Sequence, residues 1–222
     1  MIRVGEVSVA SGAPEFDAAF RARLYDLLKW RRDVRRFRRD PLPQGTLERL
    51  IAIACLSPSV GLSEPWRFVI VEDQARRAGI RASFESCNKD ALQMQAPDRA
   101  ALYARLKLAG LDDAPCQVSV FADRLTAQGS GLGRATMPET LDYSAVIAIH
   151  TLWLAARAEG LGVGWVSILD PERMRAILDV PESFAFIGHL CIGYPQADDD
   201  TPALQRAGWE GRKPPSHTVL YR

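Results

Sequence analysis

Arg31-Arg32-Asp33-Val34-Arg35-Arg36-Phe37 sets four guanidinium groups around one carboxylate and two apolar anchors, at the point where the preceding pattern ends a helix. Guanidinium groups at this density suit a phosphate, to which each offers several donors in fixed geometry. An Arg-rich run is also what a solvated surface looks like, so its meaning depends on what flanks it. Upstream, Phe20, Leu24, Leu27 and Leu28 recur at helical spacing and predict an amphipathic helix over 17–31 that delivers the cluster at its C-terminal end. Downstream, Asp40-Pro41-Leu42-Pro43 breaks the chain, and Leu47, Leu50, Ile51 and Ala54 mark a second helix.

The remaining pattern alternates in kind. Trp66 to Val71 and Gln117 to Phe121 read as buried strands, with helical segments over 74–94 and 97–109 between them. Residues 141–159 are apolar with few polar breaks, which predicts a helix buried on most sides, as at a subunit interface. Gly162 to Ile168 and Phe184 to Ile192 complete the strands, with a short helix over 171–178. No linker or repeat divides the series, so the expectation is one α+β domain over 16–222, preceded by a loosely held arm at 1–15.

Composition removes several function classes. Nearly half of the 222 residues are apolar (47%), enough for a substantial core, and the net charge of +1 lacks the broad positive field of a nucleic-acid binder. Cys55, Cys87, Cys116 and Cys191 lie far apart, as do His150, His189 and His217, which argues against a metal site and for reduced thiols in a cytoplasm. The first residues carry acids and no long apolar run, which predicts no secretory leader. The longest apolar stretch, Val146 to Ala158, contains His150 and Arg157 and is too short to cross a bilayer, so a soluble protein without a membrane partner is expected.

Other features read more plainly. Gly129-Ser130-Gly131-Leu132-Gly133 has Arg134 where a dinucleotide fingerprint needs its third glycine, and reads instead as a flexible loop or lid. Gly160-Leu161-Gly162-Val163-Gly164 either ends a helix and begins a strand or lets a flat ligand approach the backbone. His150 is expected as a hydrogen-bonded core residue. Trp66 and Trp153 are expected in the core, and only Trp165, beside Val166-Ser167, has a positional reason to lie near a ligand. Arg36, Arg38 and Arg39 read as surface charges, and Ser57 as a cap or turn residue.

The arginine cluster, then Ser57-Pro58-Ser59-Val60-Gly61-Leu62-Ser63-Glu64-Pro65-Trp66-Arg67-Phe68, then Gly164-Trp165-Val166-Ser167, and last Gly193-Tyr194-Pro195 with Gly211-Arg212-Lys213-Pro214, in order and spacing resembles the nitroreductase-like flavoprotein family. The similarity runs from residue 17 onward. It implies an α+β fold with a central mixed sheet flanked by helices, an intertwined homodimer, and FMN near the subunit interface. Arg31, Arg32, Arg35 and Arg212 would hold the phosphate. Asp33 and Val34 would lie against the flavin, Pro58, Ser59 and Ser63 would line its ring or ribityl side, and Gly164, Trp165, Val166 and Ser167 would pass beside the ring.

Two departures stand out: the family commonly has Ser where this chain has Asp33, and Asn in the loop where it has Gly61-Leu62. Glu64 also replaces the usual Gln. With Ser167 and Met137-Pro138-Glu139-Thr140-Leu141-Asp142-Tyr143-Ser144, the Asp33 variant resembles a branch in which reduced FMN is itself the substrate. There molecular oxygen fragments it to 5,6-dimethylbenzimidazole and erythrose 4-phosphate, with the reduced flavin supplied by a separate reductase and no metal involved. A carboxylate beside a flavin is costly unless hydrogen-bonded or used, so Asp33 is expected as a general base or proton shuttle, with Ser167 hydrogen-bonding the flavin. The plainer alternative is that Asp33 only orders its neighbouring arginines. Two other activities stay open at this stage, a nicotinamide-dependent nitro- or flavin reductase and a non-catalytic flavin carrier or redox sensor. Residues 84–110 would serve as a lid.

Overall fold

In a computed structural model, residues 13–222 of the chain are described. Most of the arm expected at 1–15 therefore lies outside the described residues. Asp17 caps the first helix, α1 (Ala18–Trp30), by accepting the Phe20 N–H, and α1 ends on Arg31, whose N–H still reaches the Leu27 carbonyl. None of the residues of α1 is buried; its apolar stripe, including Phe20, Leu28 and Trp30, faces outward.

The chain continues through α2 (Thr46–Ala54), β1 (Trp66–Ile70), α3 (Gln74–Gln93), α4 (Pro97–Tyr103), β2 (Cys116–Asp123), α5 (Thr140–Ala158), β3 (Gly162–Val166), α6 (Pro171–Leu178), β4 (Phe184–Gly193) and α7 (Ala203–Arg206). The four strands form one sheet in the order β1-β2-β4-β3. Every ladder in it is antiparallel, which corrects the expected mixed sheet; the parallel contact present is the isolated bridge between Asp33 and Val163.

Side chains alternate across the sheet with the period of two that strands impose. Val118, Val120, Ala122, Leu190 and Ile192 point to one face, where α2 and α5 cover them with Leu50, Ile149 and Leu152. Phe121 and Cys191 point to the other, where Ile80 of α3 and Met174 and Leu178 of α6 close over them together with Phe37. Burying each of these large side chains stabilises the fold by roughly 1.5–3 kcal/mol. The Cys191 thiol, pushed up to about 12 by burial, stays protonated.

Two expectations fail here. The helix expected over 97–109 ends at Tyr103, because Ala109 and Leu111 are drawn into the second core. Gly110 lies where any Cβ would come within 2.4 Å of the Phe37 ring. His150 is exposed on α5, whereas the histidine buried in the core is His189. Its Nε2 meets Gln117 Oε1 at 3.1 Å and its Nδ1 meets Ser119 Oγ at 2.8 Å. Since Gln117 donates through Nε2 to the Leu111 carbonyl, its Oε1 accepts, which fixes His189 as the Nε2–H tautomer with Ser119 donating to Nδ1.

Candidate functional site

Leaving α1, the backbone turns and lies against β3. Val34 N–H donates to the Val163 carbonyl at 3.0 Å, and the approach is so close that a Cβ on Gly164 would stand 2.1 Å from the Val34 carbonyl oxygen. Gly162 is pressed in the same way, with Val34 Cγ2 2.6 Å from where its Cβ would be. These glycines admit the arginine loop to the strand. Of the two readings open for Gly160–Gly164, the strand glycines therefore serve the chain's own backbone, and Gly160, at φ +75°, ends α5.

Asp33 completes the attachment. Its Oδ1 accepts the Trp165 backbone N–H at 2.9 Å and its Oδ2 accepts Arg35 Nε at 2.7 Å. Arg35 also donates through Nη1 to the Lys107 carbonyl at 3.1 Å, tying the loop to the turn after α4. On the other flank Trp153 of α5 donates its indole N–H to the Arg32 carbonyl at 3.2 Å, and the Arg31 guanidinium stacks 4.7 Å from the Trp153 ring centre. Trp153 was expected only as core; the signal in the sequence is that a buried indole N–H needs an acceptor.

Burial and like charge both press on the cations of this loop. Arg32 Nε is buried and has no hydrogen-bond partner among the described residues. Burial lowers the pKa of Arg31, opposed by Asp33 and reinforced by Arg212; burial also lowers that of Arg32, reinforced by Arg31 and Arg212. The charges of Arg31 and Arg212 thus both bear on Arg32, whose buried donor is unpaired, an arrangement a dianion relieves. A cavity of about 500 Å³ opens beside the loop, bordered by Arg32, Asp33, Arg35, Arg105, Lys107 and Asp198. Part of the segment expected as a lid, 105–107, forms one wall.

Pro58, Ser59 and Ser63 lie elsewhere. Ser57 is buried and its Oγ donates to Thr151 Oγ1 at 2.7 Å, while Val60 N–H donates to Ser144 Oγ at 3.1 Å, so the loop runs along α5. Nine positions separate Ser144 from Trp153, which is about 13 Å of axial rise and about 180° of rotation. The serine loop and the arginine loop thus sit on opposite faces of α5, with the helix between them. The serine loop is strained, with Gly61, Leu62 and Glu64 all at positive φ. The glycine-rich turn 129–133 packs onto it: a Cβ on Gly61 would meet the Leu132 carbonyl at 2.5 Å, and Gln128 Nε2 donates to the Leu62 carbonyl at 2.8 Å. Instead of a free loop, 129–133 is a docked buttress. Ser63 Oγ and Arg134 Nη1 are both buried without partners among the described residues, and Arg134 had no role in the sequence reading.

The other named residues fall simply. Ser167 is exposed just beyond β3, and Trp165 is half-buried, its ring 6.4 Å from that of Trp153. Arg36 is exposed, Arg38 pairs with Asp40 and Arg39 with Asp113. Among the described residues there is no cluster of His, Cys, Asp and Glu suited to a metal, and no helix long and apolar enough to cross a membrane.

This frame, an antiparallel sheet whose third strand receives a cationic loop from the first helix, defines a class. The chain belongs to the nitroreductase family, whose model matches residues 28–194. It is 56% identical to the 5,6-dimethylbenzimidazole synthase of Rhodospirillum rubrum over 94% of this chain and 98% of that protein. It is 48% identical to the protein of the same name from Rhodobacter capsulatus, over 90% of this chain and 96% of the relative. Among solved structures, oxidized iodotyrosine deiodinase bound to FMN and 3-iodo-L-tyrosine superimposes with a TM-score of 0.69 at 25% identity, covering 90% of this chain and 97% of that one.

Proposed function

We propose that the chain is a 5,6-dimethylbenzimidazole synthase: it consumes reduced FMN with molecular oxygen, yielding 5,6-dimethylbenzimidazole, the lower ligand of vitamin B12, and erythrose 4-phosphate. The observation that carries this reading is the 56% identity to the Rhodospirillum rubrum synthase over nearly the full length of both chains.

The residues suit FMN. Arg31 and Arg212 both bear electrostatically on Arg32, as cations sharing a phosphate would, and Arg32 Nε is a buried donor awaiting an acceptor. Arg35 is held in place by Asp33 and the Lys107 carbonyl, so its remaining donors are aimed before a ligand arrives. When bound, reduced FMN supplies the electrons for the reaction with oxygen and the carbon that becomes the product. Asp33 has two roles in this reading. It pins the arginine loop to β3, and its two oxygens, each carrying one hydrogen bond, keep lone pairs with which to take a proton from the ribityl or ring atoms. Ser167, exposed at the end of β3, hydrogen-bonds the flavin from the same edge.

A second copy of the chain completes the site. Pro58, Ser59 and Ser63 are screened from the arginine loop by α5 within one protomer, and Tyr143, Val146 and Ile147 on α5, with Leu56 and Leu62, form an exposed apolar face that a partner would cover. Residues 16–222 act as one domain, with both apolar clusters built on one sheet. The four unpaired cysteines favour a cytoplasmic setting, and a separate reductase delivers the reduced flavin.

One experiment tests the whole reading. The FMN-loaded chain is reduced without oxygen, oxygen is admitted, and flavin and benzimidazole are followed by chromatography; stoichiometric loss of FMN with appearance of the benzimidazole is expected. Intact FMN with no new product sinks the proposal. Rapid turnover of a pyridine nucleotide with a nitroaromatic acceptor would point to a reductase instead, and stable cycling without either to a carrier.

A further inference from the structure

Past α7 the chain reaches Trp209, the last residue that is not exposed; every residue from 210 to 222 is exposed. Its backbone N–H donates to the Leu204 carbonyl at 2.9 Å. The indole is gripped by α4. The Arg99 guanidinium lies 4.9 Å from the ring centre, and Tyr103 meets the ring edge-on at 6.0 Å and 64°. Arg99 Nη1 also reaches the Trp209 carbonyl at 3.5 Å. Tyr103 is itself buried and its hydroxyl donates to Asn88 Oδ1 of α3 at 2.9 Å, so the grip is backed by the body of the fold.

Arg212 follows three residues later, hence no more than about 11 Å along the chain. Its charge bears on both Arg31 and Arg32. No buried contact holds the tail beyond Trp209, so the clamp on α4 decides where that charge stands. The far end of the same helix leads into Arg105, Leu106 and Lys107, which wall the cavity, and the Lys107 carbonyl takes Arg35 Nη1. α4 and the turn after it thus bear on the arginines from two ends, through Trp209 before Arg212 and through the Lys107 carbonyl on Arg35.

We propose that Trp209 is a positioning residue: clamped by Arg99 and Tyr103, it fixes Arg212 beside Arg31 and Arg32, and so makes the ordering of α4 and the binding of a phosphate monoester one event. This assignment rests on the FMN reading of the arginine cluster. It differs from a stabilising role in being selective for the phosphate.

Oxidised FMN and riboflavin are titrated against the full chain and its variants by flavin fluorescence. Trp209→Ala is expected to weaken FMN about tenfold and riboflavin by less than about twofold, since only the charged contact is lost. Trp209→Phe, which still offers a ring to Arg99, is expected to hold FMN within about threefold of the unaltered chain. Arg212→Ala should show the same selective loss, and Trp209→Ala with Arg212→Ala should bind FMN no more weakly than Arg212→Ala alone. By hydrogen exchange, FMN should protect 97–107 in the unaltered chain and fail to do so in Arg212→Ala. Equal weakening of both flavins, no weakening, an additive double variant, or unprotected 97–107 in the unaltered chain each overturns the assignment. If the unaltered chain binds FMN and only the Trp209 variants are indifferent, the proposed function stands and this role falls; if it binds no FMN, both fall.

Discussion

Asp33 and Trp165 are joined by a 2.9 Å hydrogen bond from the Trp165 backbone N–H to the Asp33 carboxylate, so the one acid in the arginine loop is also the pin that holds the loop to β3. Asn at this position keeps an acceptor for Trp165 but removes the charge and its proton affinity. Since its amide NH2 cannot accept from Arg35 Nε, Asp33→Asn is expected to bind FMN within about tenfold of the unaltered chain and to form product at least about 100-fold more slowly, the usual scale of a lost general base. Equilibrium titration paired with single-turnover chromatography measures the two separately. Normal binding with undiminished product formation would remove Asp33 from the chemistry.

Asp33→Ala also strips Trp165 N–H of its acceptor. An additional stability loss of about 1–3 kcal/mol relative to Asp33→Asn is expected, read from denaturant melts.

Gly164→Ala tests the close approach of loop and strand. A Cβ there stands 2.1 Å from the Val34 carbonyl, an atom that cannot swing aside, so the loop must lift or the strand bend. A loss of about 1–3 kcal/mol is expected, with weakened FMN binding. Gly211→Ala, where a Cβ would meet nothing within 4 Å, is the stability control and is expected to stay within about 0.5 kcal/mol.

His189 sets a pH dependence whose direction follows from its burial. Burial, with Arg77 adding to it, pushes its folded-state pKa down to about 3 from an ordinary 6.5. The unfolded chain binds a proton below pH 6.5 that the folded chain refuses, so stability is full above that value and falls as pH drops toward about 3. The slope from this one group is up to about 1.4 kcal/mol per pH unit. Thermal melts between pH 7 and 4 should show the fall, and His189→Asn, though less stable at pH 7, should show a shallower one.

A charge on the exposed stripe of α5 tests the two-copy site. Val146→Glu is expected to leave a folded monomer that no longer retains FMN, measured by sedimentation velocity with detection at protein and flavin wavelengths. A monomer that binds FMN like the unaltered chain would place the whole site within one protomer.

Much of the frame could be read from the sequence because periodicity reports burial. The strands and most helices fall within a residue or two of where their apolar spacing puts them. The misses share a cause, which is contact between distant parts of the chain. Nothing near residue 104 announces that Phe37 will draw Ala109 and Leu111 inward, and no local pattern separates exposed His150 from buried His189. The arginine loop was legible as a cluster of guanidinium groups around one carboxylate from its residue types. That Asp33 would bond the backbone of Trp165, and that Trp153 would hold the loop from behind, depends on how α5 and β3 pack. The serine loop and the arginine loop read as neighbours when motifs are lined up along a chain, and only the placement of α5 shows that they are not.

If two copies share the site, that intervening helix makes each chain a donor of two unlike halves. In the two-copy reading, a chain lacking Arg32 and a chain lacking Ser63 are each inactive alone, because every site in either homodimer has one broken half. Mixed and allowed to exchange, they form heterodimers in which one site inherits both lesions and the other is whole. Activity would then reappear from two dead proteins, and would fade again on dilution as the pairs come apart.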